Sequence, residues 1–306
     1  MTNILKTSFN ITIVGNGAIG NLLAYQCQKL GLNYQLLLRK KSDLNLQVQD
    51  IDGLVHTIHP QVSDITSHLP FDLIILPVKA YQVENALREL TPLISPKHII
   101  ILLHNGMGTI EQVRKLLPDN PLIAAATSYG AFKTSTSDSQ IQHLNITGLG
   151  QTHLGWINPI AKQTKQNIEI CLSALLPPST WHKNINVALW RKLAVNAAIN
   201  PLTAIHNIKN GQLAKAKFTE QLKHICEEVA QVIHAEGYAI PANNLLNDVQ
   251  QIIKATANNY SSMHQDIIHN RRTEIDFING YVCNRASFWG IDTPINQQLI
   301  NHIQTL

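Results

Sequence analysis

The stretch Ala188-Leu-Trp-Arg-Lys-Leu-Ala-Val-Asn-Ala-Ala-Ile-Asn-Pro-Leu-Thr-Ala204 reads as an apolar helix carrying Lys192, Asn196 and Asn200 at steps of four. At about 100° per residue the three side chains fall within roughly 80° of arc and form one polar stripe. Their neighbours are Leu189, Leu193, Ala194, Val195, Ala197, Ala198 and Ile199. A surface helix sets its polar face opposite an apolar one and fills it with charges. Here an ammonium and two amides share a helix with almost nothing else polar. Such groups inside a protein must be paired, and burying a lone ammonium is costly enough to move its pKa. The stripe therefore points to a cleft that a small polar ligand fills.

A second constellation lies near the start of the chain. Gly15-Asn16-Gly17-Ala18-Ile19-Gly20 is G-x-G-x-x-G, placed directly after the apolar run Asn10–Val14 and opening a helical pattern. In that context the glycines allow a tight turn and close backbone approach to a pyrophosphate. The helix N-terminus adds aimed N–H groups and positive partial charge. The next apolar run ends in Leu38-Arg39-Lys40-Lys41. An acid there would accept bonds from the ribose 2′-OH of NAD, whereas Arg39 offers a planar fork suited to a 2′-phosphate. The expected cofactor is NADPH/NADP+. Lys79, after the third apolar run, either reaches phosphate or is a surface lysine. His104-Asn105-Gly106-Met107-Gly108 follows the fourth, and its glycines would let Asn105 approach a ligand.

The elements that must position these residues follow from periodicity. The pattern predicts strands at Asn10–Val14, Tyr34–Leu38, Leu73–Val78 and His98–Leu103, with helices at Ala18–Leu30 and Ala80–Leu90 between them. Continuous β-branched runs with helical crossovers are the mark of buried parallel strands. Leu122–Ala126 and Thr152–Ile157 add two candidate strands. From about Ile185 the strand-like runs stop. Helical patterns follow at Val187–Ile199, Thr219–Glu236, Asn243–Ala257, Met263–Ile268 and Glu274–Trp289. Gly237 and Gly290 mark helix ends, and Thr273 with Asp276 resembles a helix cap. The fold class is α/β, an N-terminal Rossmann-type doubly wound sheet over residues 1–183 followed by an all-α domain over 184–306. A join near Pro177–Asn184 separates them, and a ligand cleft between them is expected.

Composition narrows the function classes. With 306 residues, 44% apolar content and a net charge of +4, the chain can bury a large core and suits anionic small molecules. It has no basic block of the nucleic-acid-binding kind. No window is long and apolar enough for a membrane helix, and Met1–Asn10 has no signal-like apolar run, so a cytoplasmic protein is the default expectation. The four cysteines, Cys27, Cys171, Cys226 and Cys283, are far apart and read as buried thiols. None of the fourteen histidines has metal-ligand spacing supported by a carboxylate, so no metal is expected. In the helical half, Ser261, Ser262 and Glu274 join the stripe as candidates. A carboxylate at Glu274 is also explained by the helix dipole alone.

The chain resembles the ketopantoate reductase family. The resemblance runs from Ile11 to about Pro294. It is carried by His104-Asn-Gly-Met-Gly-Thr-Ile110, Leu189-Trp-Arg-Lys-Leu-Ala-Val-Asn196, Ile199-Asn-Pro-Leu-Thr-Ala204, Ser261-Ser-Met-His-Gln-Asp266 and Thr273-Glu-Ile-Asp-Phe-Ile-Asn-Gly280. It implies NADPH-dependent reduction of 2-dehydropantoate to (R)-pantoate in pantothenate and coenzyme A synthesis. It further implies Lys192 as general acid and Asn196, Asn200, Asn210, Asn259, Tyr260, Ser261 and Ser262 around the substrate. Asn105 would touch both substrate and nicotinamide, and Glu274 would stand near the nicotinamide ribose. Arg39 and Lys79 would hold the 2′-phosphate, and Ala131 would make a backbone contact to cofactor. The Ala124–Ala131 stretch departs from the family pattern. Beside this reading stand a reductase of another short branched 2-oxo acid, a non-catalytic NADP-binding sensor and a helical partner module. A monomer or homodimer without nucleic-acid partners is expected.

Overall fold

The computed structural model describes residues 9–66, 72–135, 141–158 and 160–306. Residues 1–8, part of the stretch without a signal-like run, lie outside the described residues. The chain forms two compact units. One comprises the residues up to His104 together with Thr109–Ile185, and the other comprises Asn105–Gly108 and Asn186–Leu306.

The first unit is built on β1 (Ile11–Val14), α1 (Ala18–Leu30) and β2 (Tyr34–Leu37). Next come β3 (Asn45–Gln49), β4 (Val55–Ile58), β5 (Val62–Ser63), β6 (Leu73–Leu76) and α2 (Ala80–Leu90). Then follow β7 (Ile99–Leu103), α3 (Thr109–Leu116), β8 (Leu122–Thr127), β9 (Gly130–Ser135) and β10 (Ile141–Gly148). The unit closes with β11 (Thr152–Trp156), α4 (Lys162–Leu175) and β12 (Ser179–Trp181). The main sheet has the order β12-β11-β8-β7-β6-β1-β2-β5. Its run from β8 to β5 is parallel, and β11 joins antiparallel to β8. Every residue of β1, β6 and β7 is buried, as strands covered on both faces require. Chain order reverses at β1 beside β6, so their carboxyl ends form a topological switch point, the usual ligand position of open α/β sheets.

A second sheet, of order β4-β3-β10-β9, has no counterpart in the periodicity reading. Its strands alternate weakly in burial, and β3 pairs with β10 across nearly the whole unit. The predicted join at Pro177–Asn184 contains β12, a short strand parallel to β11.

The second unit holds α5 (Asn186–His206), α6 (Thr219–Ala235), α7 (Ala242–Ala255), α8 (Ser262–Ile268), α9 (Asn279–Phe288) and α10 (Pro294–Gln304). Helix α5 is central, packing against α6, α7, α8 and α10. Trp190, Leu193, Ala194, Ala197, Ala198 and Leu202 are buried along it. It runs seven residues past Ile199, through Pro201. The predicted helix Glu274–Trp289 is broken: Ile275–Phe277 is a 3-10 turn, and α9 starts only at Asn279. Thr273 does not cap N3 there; its Oγ1 accepts from the Ile275 N–H at 3.4 Å. No helix among the described residues is long and apolar enough to cross a membrane. Cys27, Cys171 and Cys226 are buried, and burial raises all three thiols, Cys171 to about 11 and Cys226 to about 12. At neutral pH they stay protonated and unreactive.

Candidate active site

The glycine turn follows β1, and its shape demands glycine at two positions. Gly15 has φ +89, and a Cβ on Gly20 would stand 2.4 Å from the Gly15 carbonyl oxygen. A Cβ on Gly17, the N-cap of α1, would meet nothing within 4 Å. The first turn of α1 contains no acidic residue and has no side-chain cap, so its N–H groups remain for an anion. Val14 pairs with Leu37, which brings Gly15 and Leu38 out at one level of the sheet edge. Arg39 follows at once and is exposed. Lys79 is half-buried at the N-cap of α2, where its N–H donates to Gln82 Oε1 at 3.1 Å. Ala131 lies in β9, paired with Ile146 of β10.

Periodicity reasoning missed two neighbours of the turn. Lys133 Nζ donates to the Asn16 carbonyl at 2.8 Å, and burial lowers its pKa. Gln142 Oε1 accepts from Asn16 Nδ2 and Asn21 Nδ2, both at 3.4 Å. Both come from the second sheet, whose pairing no local pattern signals. A turn open above Gly17, with Arg39, Lys79 and Lys133 in the same unit, fits a phosphate-bearing dinucleotide.

The remaining candidates, Asn105 included, belong to the helical unit. Met107 N–H donates to the Phe277 carbonyl at 2.9 Å, fixing the Asn105–Gly108 loop against the turn after Glu274. Gly106 is obligatory there: φ is +83, and a Cβ would lie 2.6 Å from the Phe277 oxygen. Gly106→Ala therefore costs about 1–3 kcal/mol, read as a lower Tm with weakened turnover. An unchanged Tm would show that the loop relaxes freely.

On α5, Lys192 and Asn196 are half-buried and Asn200 is buried. Burial pushes the Lys192 ammonium down to about 8, against the opposing pull of the Glu274 carboxylate. Glu274 is only 4% exposed, which a carboxylate serving just the helix dipole would not be. Asn196 Nδ2 is buried with no hydrogen-bond partner among the described residues. Asn210 is also buried: its Nδ2 donates to Thr256 Oγ1 at 2.9 Å, while Oδ1 has no partner among the described residues. Its N–H donates to the Asn259 carbonyl at 2.9 Å, linking it to the polar break before α8.

Within that break the side chains divide. Ser261 is buried and caps α8, its Oγ accepting from the His264 N–H at 3.1 Å and bonding Thr203 Oγ1 at 2.7 Å. Ser261 thus fastens the break to α5 one turn beyond Asn200. Ser262 and Asn259 are exposed, as is Tyr260, which stacks on His264 with ring centroids 4.3 Å apart. Among the described residues no group of three or more His, Cys, Asp or Glu side chains is arranged to hold a metal ion.

The family described as "Ketopantoate reductase PanE/ApbA" matches residues 11–159, and its C-terminal counterpart matches 184–306. The 2-dehydropantoate 2-reductase of Vibrio cholerae is 39% identical, over 97% of each chain. That of Escherichia coli O157:H7 is 37% identical, over 96% of this chain and 94% of the other. Among solved structures, D-mandelate dehydrogenase with NADH and anilino(oxo)acetate superposes with a TM-score of 0.87 at 23% identity, covering 97% and 98% of the two chains. The PanE/ApbA family ketopantoate reductase of Ralstonia eutropha gives 0.80, also at 23% and over 97% and 98%.

Proposed function

The chain belongs to the ketopantoate reductase family, and from that premise we propose that it reduces 2-dehydropantoate to (R)-pantoate, with NADPH as hydride source and Lys192 as proton donor. The reaction belongs to pantothenate and coenzyme A synthesis. The observation that carries this reading is the desolvated Lys192 ammonium beside the buried Glu274, on a helix face shared with Asn196 and Asn200.

When bound, reduced nicotinamide supplies the hydride to the 2-oxo carbon. Negative charge then grows on the oxo oxygen, where the Lys192 ammonium stabilises it and gives up a proton. Partial desolvation helps twice. It strengthens the attraction to the developing charge, and it brings the ammonium pKa close to working pH. The orphan amide groups match the substrate's remaining polarity: Asn196 has an N–H to give to an oxygen, and Asn210 has an oxygen free for a hydroxyl hydrogen. Asn200, Asn259, Tyr260, Ser261 and Ser262 complete the proposed substrate set, with Ser261 acting through its cap on α8. Gly15–Gly20 with Asn16 would take the pyrophosphate, Arg39 and Lys79 the 2′-phosphate. Ala131, Asn105 and Glu274 would meet the rest of the cofactor. We propose a monomer or homodimer acting in the cytoplasm, the quaternary state being read by sedimentation.

The decisive assay is loss of reduced-nicotinamide absorbance with NADPH and ketopantoate, compared with other short branched 2-oxo acids. A higher kcat/KM for any of the others would reassign the substrate, and no turnover at all would leave a sensor or partner module. The pH dependence adds a sign. Reduction needs protonated Lys192, so kcat/KM is level below about pH 8 and falls above it, approaching roughly tenfold per pH unit. Oxidation of pantoate needs the neutral amine, so its rate rises through the same midpoint. A reduction profile that stays level far above that midpoint would remove Lys192 from the proton-donor role.

A further inference from the structure

Helix α5 runs through a proline without ending. Pro201 has no N–H, so the carbonyl of Ala197, four residues earlier, loses its helical partner. Ala197 is fully buried, and a carbonyl stranded there needs another donor. Asn279 Nδ2 provides it at 3.0 Å, across 82 residues of sequence. The same nitrogen donates to Asn296 Oδ1 at 2.9 Å. Asn296 is held in turn by buried Glu228, whose Oε2 accepts from its Nδ2 at 2.7 Å and its N–H at 3.0 Å. Glu228 Oε1 accepts from the Ile295 N–H at 2.8 Å. Both groups facing the Asn279 nitrogen are acceptors, so the amide has one possible orientation. Its own Oδ1 is buried without a partner among the described residues. A side chain kept with one end unsatisfied is kept for its donor end.

The place of that bond matters for the proposed reaction. Ala197 directly follows Asn196 and stands three residues before Asn200, within the turns of helix that carry the polar stripe. Asn279 opens α9, directly after the 3-10 turn that follows Glu274 and takes the Met107 N–H. We infer that Asn279 is a positioning residue for the reduction: by taking up the carbonyl that Pro201 strands, it holds the Lys192–Asn196–Asn200 face in register with Glu274. This inference rests on the reading of Lys192 as the proton donor.

Asn279→Ala, Pro201→Ala and the double variant separate positioning from plain stability. In Asn279→Ala, kcat/KM for ketopantoate falls roughly ten- to hundredfold while the NADPH Kd stays within about twofold. Pro201→Ala returns a backbone N–H to Ala197, so the double variant regains Tm but not kcat/KM. The inference is overturned if Asn279→Ala keeps kcat/KM within about twofold, or if the double variant recovers kcat/KM together with Tm. If Asn279→Ala fails to fold, Pro201→Ala alone decides. Restoring the helical hydrogen bond to the Ala197 carbonyl should then lower kcat/KM roughly tenfold without lowering Tm, and unchanged turnover overturns the idea. If the wild-type protein does not turn over ketopantoate, the proposed substrate fails but the positioning is still measurable. The NMR titration midpoint of Lys192 should move in Pro201→Ala, and an unmoved midpoint counts against Asn279.

Discussion

Lys192→Met lowers kcat for ketopantoate reduction by roughly 10²–10⁴, the usual contribution of a positioned general acid. The protein stays folded and keeps its affinity for NADPH. The stability expectation follows from sign. In the folded state burial holds the ammonium pKa at about 8, below its ordinary value. At neutral pH the native protein therefore carries an unfavourable charged group that the unfolded chain solvates freely. Methionine matches the stem and removes that penalty, so Tm at pH 7 does not fall. A variant that loses turnover while holding Tm and NADPH affinity isolates the proton-donor role. Turnover within a few fold of wild type would end that assignment, and a collapsed Tm would mean that the ammonium is needed to hold the helical unit together. The alkaline limb should vanish with the lysine, since no other group would then supply the proton.

The second large effect is cofactor choice. Arg39→Asp lowers kcat/KM with NADPH by roughly 10²-fold or more, and changes that with NADH little. Charge-assisted hydrogen bonds contribute about 1.5–3 kcal/mol, and an aspartate adds repulsion against a 2′-phosphate. The same aspartate can accept from a ribose 2′-OH, so NADH use is kept or improved. Arg39 is exposed just past the end of β2, so the exchange removes no core packing. Steady-state kinetics with both cofactors reads the result as a ratio. Equal losses would place the 2′-phosphate elsewhere, with Lys79 and Lys133 as the next cations to test.

Much of the first unit was legible because its information is local. A strand, a glycine turn and a helix sit within one short window around Gly15–Gly20, and their periods differ. The second sheet was not legible. β9 and β10 pair with each other and only β10 reaches β3, from far along the chain; β10 has just two buried positions, so the apolar run that marks a buried strand is missing. Lys133 and Gln142 were missed with them. The helical pattern at Val187–Ile199 stops short of Pro201, whereas helix α5 runs through that proline to His206. It continues because Asn279, far away in sequence, replaces the lost hydrogen bond.

The candidate site divides in the same way. Side-chain spacing alone put Lys192, Asn196 and Asn200 on one helical face, because the α-helical repeat fixes such placement without any partner. The types at Gly15–Gly20 and Arg39 likewise specified a tight glycine turn opening α1 and a cation after β2. Only the tertiary structure decided that Glu274 is buried beside Lys192, that the loop of Asn105 is fastened to Phe277, and that Asn196 and Asn210 keep orphan polar atoms. The reason is physical. Backbone geometry is set by a residue's near neighbours, whereas desolvation and hydrogen-bond pairing are set by whatever the rest of the chain packs against it. The polar stripe was written in the sequence; the lowered proton affinity that suits Lys192 to its proposed work came from packing.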